Sequence, residues 1–400
     1  MFIFVCYAIP NSMVNQNKAV SVPGNKQALL LAELFQSFFK DEFVCVTIPP
    51  RQASFKDFKK KSILQSQDII TGAETHEVRY LNLPIVKEYS IRNNLKRILN
   101  DILNKSKNGD NIVMTVNSNG CVSVPLLQLR KKYKFKTSIY LSDMPFDENP
   151  TRNIVKKVLL EHDNRIRVNN LRYYDSVIAG VDLLIEMYFK NKVSIKIDPA
   201  IEFEKYKIID SVHTKESQCI NIVYTGSLNE NYHIPELVEV VKLLPVNYTI
   251  TFYGRGPYTE FVIEQGKKCN RVKYGGYLPF DEIVKVQMNA DLLIALLDTS
   301  KNISKYAVPS KVFDYLCAGV PVVSSNALSL SNDLKKYVTL VDDMDMSDIK
   351  NKILNIFADD EHIAQAIEKA QDGKRYVTKN CRWDVQQERI LSFLREISNG

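Results

Sequence analysis

Short apolar runs of strand length alternate with longer stretches carrying apolar residues at helical spacing, and this alternation constrains the chain more than any other feature. Residues 2–8, 43–48, 112–116 and 138–141 read as buried strands, and 25–39, 90–103 and 122–131 as amphipathic helices. Residues 174–181 then read as a strand and 182–189 as a helix. Strands that alternate with helices of this length pair in parallel, because each helix carries the chain back across the sheet. The fold class expected is α/β.

A polar segment, 197–218, interrupts the pattern, which then restarts. Strands are expected at 220–225, 248–253, 272–274, 291–297, 320–324 and 338–341, with helices between them and from 347 to the end. No fixed-period repeat is present, which argues against a solenoid. With 400 residues available, the expectation is two doubly wound, Rossmann-like domains facing across a cleft. The boundaries fall at 1–198 and 199–379, and the last helix, 380–400, is expected to pack back on the first domain.

Charge divides along the same line. The net charge is +7, yet residues 1–200 hold 29 Lys and Arg against 19 Asp and Glu, and residues 201–400 hold 24 against 27. Phe55-Lys-Asp-Phe-Lys-Lys-Lys61 and Arg130-Lys-Lys-Tyr-Lys-Phe-Lys136 mix cations with aromatics. Such clusters suit a solvated helix face or an anionic membrane surface; no nucleic-acid motif accompanies them, so no nucleic-acid partner is expected. Seven scattered cysteines without a C-x-x-C pair read as reduced core thiols. The apolar start lacks a basic leader and is too short to span a bilayer, so neither a membrane span nor classical export is expected.

In open α/β sheets ligands bind beyond the carboxyl ends of the strands, so the strand-to-helix loops carry the functional signal. The most informative stretch is Tyr306-Ala-Val-Pro-Ser-Lys-Val-Phe-Asp-Tyr-Leu-Cys-Ala-Gly-Val-Pro-Val-Val323. Ser310 falls where a helix cap is expected after Pro309, and Gly319 with Pro321 ends the helix. Val312, Phe313, Leu316 and Cys317 share a buried stripe, whereas Ser310, Lys311 and Asp314 share another face at the opening turn. Such a turn suits a nucleotide diphosphate. Its N–H groups and dipole attract phosphate oxygens, Lys311 adds a full charge, and Asp314 can accept from both ribose hydroxyls. The plainer alternative is a capping Ser310 with Lys311 and Asp314 as a surface pair.

The stretch from Pro309 to Val323 resembles the donor-site signature of the family-four, group-one glycosyltransferases with the GT-B fold. Tyr224-Thr-Gly-Ser-Leu228, Tyr253-Gly-Arg-Gly-Pro257, Gly275-Gly-Tyr-Leu-Pro-Phe-Asp-Glu282 and Ala290-Asp-Leu-Leu-Ile-Ala295 are similar to that family's other donor-domain segments. The resemblance covers roughly 174–395. It implies that Gly226 and Ser227 belong to the donor site, that the helix start at Ser310 binds the diphosphate with charge from Lys311 and Arg255, that Asp314 binds the ribose, and that Tyr277 and Leu278 hold the base. Tyr306 stands near the donor sugar where the family often has Glu, Asp314 is shorter than the usual Glu, and no Arg-Lys pair follows Gly226.

In the first domain, the loops 9–25, 117–120 and 142–147 are expected to hold the acceptor. Gly24 would let backbone approach the donor phosphate, and Asp143 would bind an acceptor hydroxyl, with turn formation as the ordinary alternative for each. With Lys311, Asp143 is the catalytic candidate. The five histidines show no metal spacing, and only His233 lies near a donor loop. Asp343-Met-Asp345 reads as a helix start, and no metal or obligatory cofactor is expected. No Walker loop, G-x-S-x-G elbow or dinucleotide fingerprint occurs.

The resemblance implies a glycosyltransferase of the hexosyltransferase class, retaining, using a nucleotide diphosphate sugar, UDP-linked by preference. The acceptor would be a glycan or a polyprenyl-linked glycan of bacterial surface polysaccharide. The location would be cytoplasmic, peripheral at the inner membrane face. The rivals are a catalytically silent GT-B subunit and a sugar-nucleotide epimerase on the same fold.

Overall fold

The computed structural model describes residues 1–10, 13, 22–50, 72–83, 86–106, 110–146, 148, 154–199, 201, 203–207 and 219–399. The basic cluster 55–61, most of the loop 9–25 and Asp147 lie outside them. The chain forms two units. One comprises Met1–Ala179, Leu184–Lys196 and Arg389–Gly400; the other comprises Gly180–Leu183 and Ile197–Glu388.

The first unit is built on a parallel sheet of β1 (Phe2–Cys6), β2 (Phe43–Thr47), β3 (Glu74–Glu77), β4 (Asn111–Val116), β5 (Phe135–Leu141), β6 (Ser176–Ala179) and β7 (Val193–Lys196). Its order is β3-β2-β1-β4-β5-β6-β7. The central strands β1 and β2 are buried along their whole length. Rings from the following helix seal them: Phe39 stacks on Phe2 at 4.3 Å, and Phe35 meets Phe4 edge-on at 5.0 Å. The two strands absent from the sequence pattern, β3 and β7, are the sheet's edges. An edge strand buries little, so it needs no apolar run, and Glu-Thr-His-Glu serves in β3.

The second unit repeats the architecture with β8 (Ile220–Thr225), β9 (Tyr248–Tyr253), β10 (Val272–Gly276), β11 (Leu292–Ala295), β12 (Val322–Ser325) and β13 (Thr339–Val341). The order is β10-β9-β8-β11-β12-β13, parallel throughout. In both sheets the chain reverses its direction of travel beside the first strand, which opens a crevice at the carboxyl ends there.

The last helix, Trp383–Asn399, joins the first unit from Arg389 rather than from 380. Arg389 donates to the Lys196 carbonyl at 2.7 Å, and Lys136 to the Ile397 carbonyl at 2.9 Å. That second bond, with Arg130 on the Tyr173 carbonyl and Asp175 and Lys132 on Asn100, draws three cations of the 130–136 cluster onto partners within the unit. Five cysteines are buried as expected, whereas Cys219 is exposed and Cys269 half-buried. No described helix is long and apolar enough to cross a membrane.

Candidate functional site

At the carboxyl ends of β8 and β9 two glycine turns stack. Gly226 and Gly254 have φ of 138° and 136°, a region L-residues rarely occupy. A side chain at Gly254 would overlap the Gly226 carbonyl, and one at Gly226 would overlap Lys311 Cε. The Gly226 N–H donates to the Tyr253 carbonyl at 2.9 Å, and the Gly254 N–H to the Gly276 carbonyl at 2.8 Å. Tyr315 fixes the end of β8: the Thr225 N–H donates to its hydroxyl at 2.8 Å, and that hydroxyl lies 3.2 Å from the Thr225 carbonyl. Gln287 donates to Thr225 Oγ1 at 2.9 Å and accepts from the buried Tyr206 hydroxyl at 3.3 Å. Each bond contributes about 1 kcal/mol. Their common effect is a rigid floor.

Over that floor lies a pocket of about 340 Å³ lined by residues from all these loops, among them Gly226, Ser227, Arg255, Tyr277, Leu278, Lys311 and Asp314. The helix Ser310–Ala318 delivers the last two from its first turns. The expected stripe of Val312, Phe313, Leu316 and Cys317 is buried and holds the helix against the sheet, and Gly319 closes it at φ 72°. Ser310 differs from expectation. It is the first helical residue, exposed, and the cap position belongs to Pro309, which has no side-chain oxygen to offer the first turn.

Lys311 carries the site's most perturbed charge. Burial pushes its ammonium down to about 7, and the Asp314 carboxylate opposes this. Its ammonium sits 3.1 Å from the centroid of the Tyr232 ring and 5.5 Å from that of Tyr224. Arg255 is an exposed rim residue whose guanidinium stacks on the ring of Tyr277 at 3.6 Å. Tyr306 ends the short helix Ile303–Tyr306 and is not among the residues lining the pocket.

His233, with φ 49°, is buried and bonded through Nε2 to Asp343 at 2.9 Å, and it does not line the pocket. His233, Asp298 and Asp343 bring one ligand atom each within 4.8 Å of the others. Protein donors occupy the carboxylates, however. Thr299 donates to Asp343 through N–H and hydroxyl, and Ser300 does the same to Asp298. The trio therefore bolts loops together. Its partner in sequence, Asp345, caps the helix Met346–Ile356.

The first unit has a pocket of about 660 Å³ beyond β1, β4 and β5, lined by Gly24, Asn117, Ser118, Asn119, Ser142, Asp143 and Arg167, among others. Gly24 is not a loop glycine: it lies in the opening turn of the helix Val22–Phe39, in this pocket and not in the second unit's. Asp143 is exposed and accepts from the Met144 N–H at 2.8 Å, a local turn bond. Tyr232, Tyr315, Gln287 and Thr225 escaped the sequence reading. Each acts across strands, and no local periodicity marks it.

Whole-chain likeness to solved structures defines the fold. The crystal structure of HepE from Anabaena in complex with UDP aligns with a TM-score of 0.65 at 12% identity, covering 99% of each chain. The apo lipopolysaccharide outer core galactosyltransferase WaaB aligns at 0.66 and 10%, also over 99% of each. A glycosyltransferase from Rickettsia africae aligns at 0.64 and 14%, over 99% of this chain and 98% of that one. The two parallel-sheet units thus make up the GT-B fold. No curated protein matches by sequence. Residues 206–373, however, match the family described as glycosyl transferases group 1. Residues 206–373 thus carry a group 1 glycosyl transferase domain, of a class that takes a nucleotide sugar as donor.

Proposed function

We propose that the pocket of the second unit binds a UDP-sugar and that the sugar passes, with retention, to a glycan or polyprenyl-linked acceptor held by the first unit. The observation that carries this reading is Lys311 and Asp314 on the opening turns of one helix, lining one pocket, with a proline in that helix's cap position. The helix start and the Lys311 ammonium face the diphosphate, Asp314 the ribose hydroxyls, and Tyr277 with Leu278 the base. Lys311 stabilises the charge that grows on the leaving UDP, so it acts more strongly on the transition state than on the bound donor. The departing diphosphate then takes the acceptor's proton, and no protein base is required.

Structures of HepE with UDP and with UDP-glucose, and WaaB as a lipopolysaccharide galactosyltransferase, support a UDP-sugar donor and a role in bacterial surface polysaccharide. The basic excess of residues 1–200 supports a peripheral position at the inner face of the cytoplasmic membrane. Asp143 in the first unit's pocket is the acceptor contact. Titration calorimetry with UDP, GDP and ADP, followed by incubation with UDP-sugars and lipid-linked glycans, tests the reading. UDP should bind best, and transfer should release free UDP. Donor interconversion without acceptor would identify an epimerase, and no nucleotide binding a silent subunit.

A further inference from the structure

Lys311 does not hang free in the donor pocket. Its stem crosses bare Gly226, and it forms part of the partition between the 340 Å³ pocket and a chamber of about 50 Å³ lined in part by Tyr232. The loop bearing Tyr232 is fixed on both sides of the ring. The Asp298 N–H donates to the Asn231 carbonyl at 2.9 Å, Lys301 donates to the Glu230 carbonyl at 3.0 Å, and His233 is tied to Asp343. This bolting gives the buried His–Asp pair a structural purpose.

An aromatic face attracts a cation without supplying a counter-anion. A carboxylate in the same place would hold the ammonium equally well but neutralise it. We propose that Tyr232 is a positioning residue whose ring seats the Lys311 ammonium beside Gly226, directed toward the donor diphosphate. The proposal rests on the donor reading above and deepens it: a single seated lysine does the work of a basic pair. Without the seat, the long Lys311 side chain spreads over several rotamers and must be ordered anew whenever an anion binds.

Calorimetry with UDP, and saturation-transfer NMR with uridine, on the wild type, Tyr232→Phe, Tyr232→Leu, Lys311→Met and the Tyr232→Leu/Lys311→Met double variant decides the matter. Tyr232→Phe should bind UDP within about twofold of the wild type, and Tyr232→Leu about tenfold more weakly. Uridine, which lacks phosphate, should bind all of them alike, and Tyr232→Leu should cost nothing further once Lys311 is Met. Equal UDP affinity in wild type and Tyr232→Leu overturns the seat, as does an equal loss with uridine or in the Lys311→Met background. If melting shows Tyr232→Leu unfolded, Tyr232→Met carries the same expectations. A wild type that binds no UDP overturns the donor reading itself, a result distinct from wild-type binding that Tyr232→Leu leaves unchanged.

Discussion

Both pockets lie beyond the carboxyl ends of their sheets yet differ in how they are furnished. The second unit's holds a desolvated lysine over two glycine turns, with Tyr315 and Gln287 pinning the strand end beneath. The first unit's is wider and lined by amides and hydroxyls, and its arginine, Arg167, is already paired with Asp163. A diphosphate is the same in every donor, so a rigid, charged receptor suits it. Acceptor hydroxyls vary in position and carry no charge, and short polar side chains suit them. On the proposed reading one fold serves both ligands, and the loops decide which.

Lys311→Met should separate the pockets most sharply. Its kcat/KM for donor should fall by about 100-fold, with melting temperature unchanged or raised because a buried charge is gone. A loss under threefold would remove the contrast between the pockets. His233→Ala comes next. Stranding the buried Asp343 should destabilise the second unit by about 3 kcal/mol in a urea titration and weaken UDP binding.

The same pair predicts a pH optimum of stability. The Asp343 hydrogen bond raises the His233 ring above its ordinary 6.5 despite burial, so its contribution is complete below that value and fades as pH rises through the raised one. Burial raises the Asp343 carboxyl, but bonds from His233 and Thr299 outweigh this and hold it below 3.8. Its contribution is therefore present above 3.8 and fades as pH falls through the lowered value. Melting temperatures followed against pH should show both flanks, and His233→Ala should flatten them.

Donor affinity should also depend on pH. Lys311 in the empty pocket loses its proton near 7, so UDP affinity should decline by up to about tenfold between pH 7 and 8. Asp314 from the same helix and the Tyr224 and Tyr232 rings face the amine and act against that loss. In Lys311→Met the dependence should vanish. The smallest effect is expected in the other pocket. Asp143→Ala should raise the acceptor KM by about fivefold and leave UDP affinity untouched, and a fall in UDP affinity would contradict the division of labour.

Much of the fold was legible because strands and helices announce themselves through nearest-neighbour spacing. β1 and β2 are continuous apolar runs, and the helix after Pro309 is punctuated at both ends. The edge strands β3 and β7 were not legible, since an edge buries too little to demand apolar residues. In the site, Lys311 and Asp314 stood out as a pair one turn apart. Ser310 was misplaced by a single residue, because the proline itself occupies the cap.

The sequence by itself determined two parallel α/β sheets and the cation–carboxylate pair at one helix start, since periodicity and chain punctuation act over a few residues. Only the tertiary structure decided what surrounds that pair. Tyr315 reaches Thr225 across 90 residues and His233 reaches Asp343 across 110, and the strand order β10-β9-β8-β11-β12-β13 makes such partners neighbours. Tyr232 beneath the Lys311 ammonium belongs to the same group. Its place depends on which strands lie side by side, and no local rule of sequence encodes that.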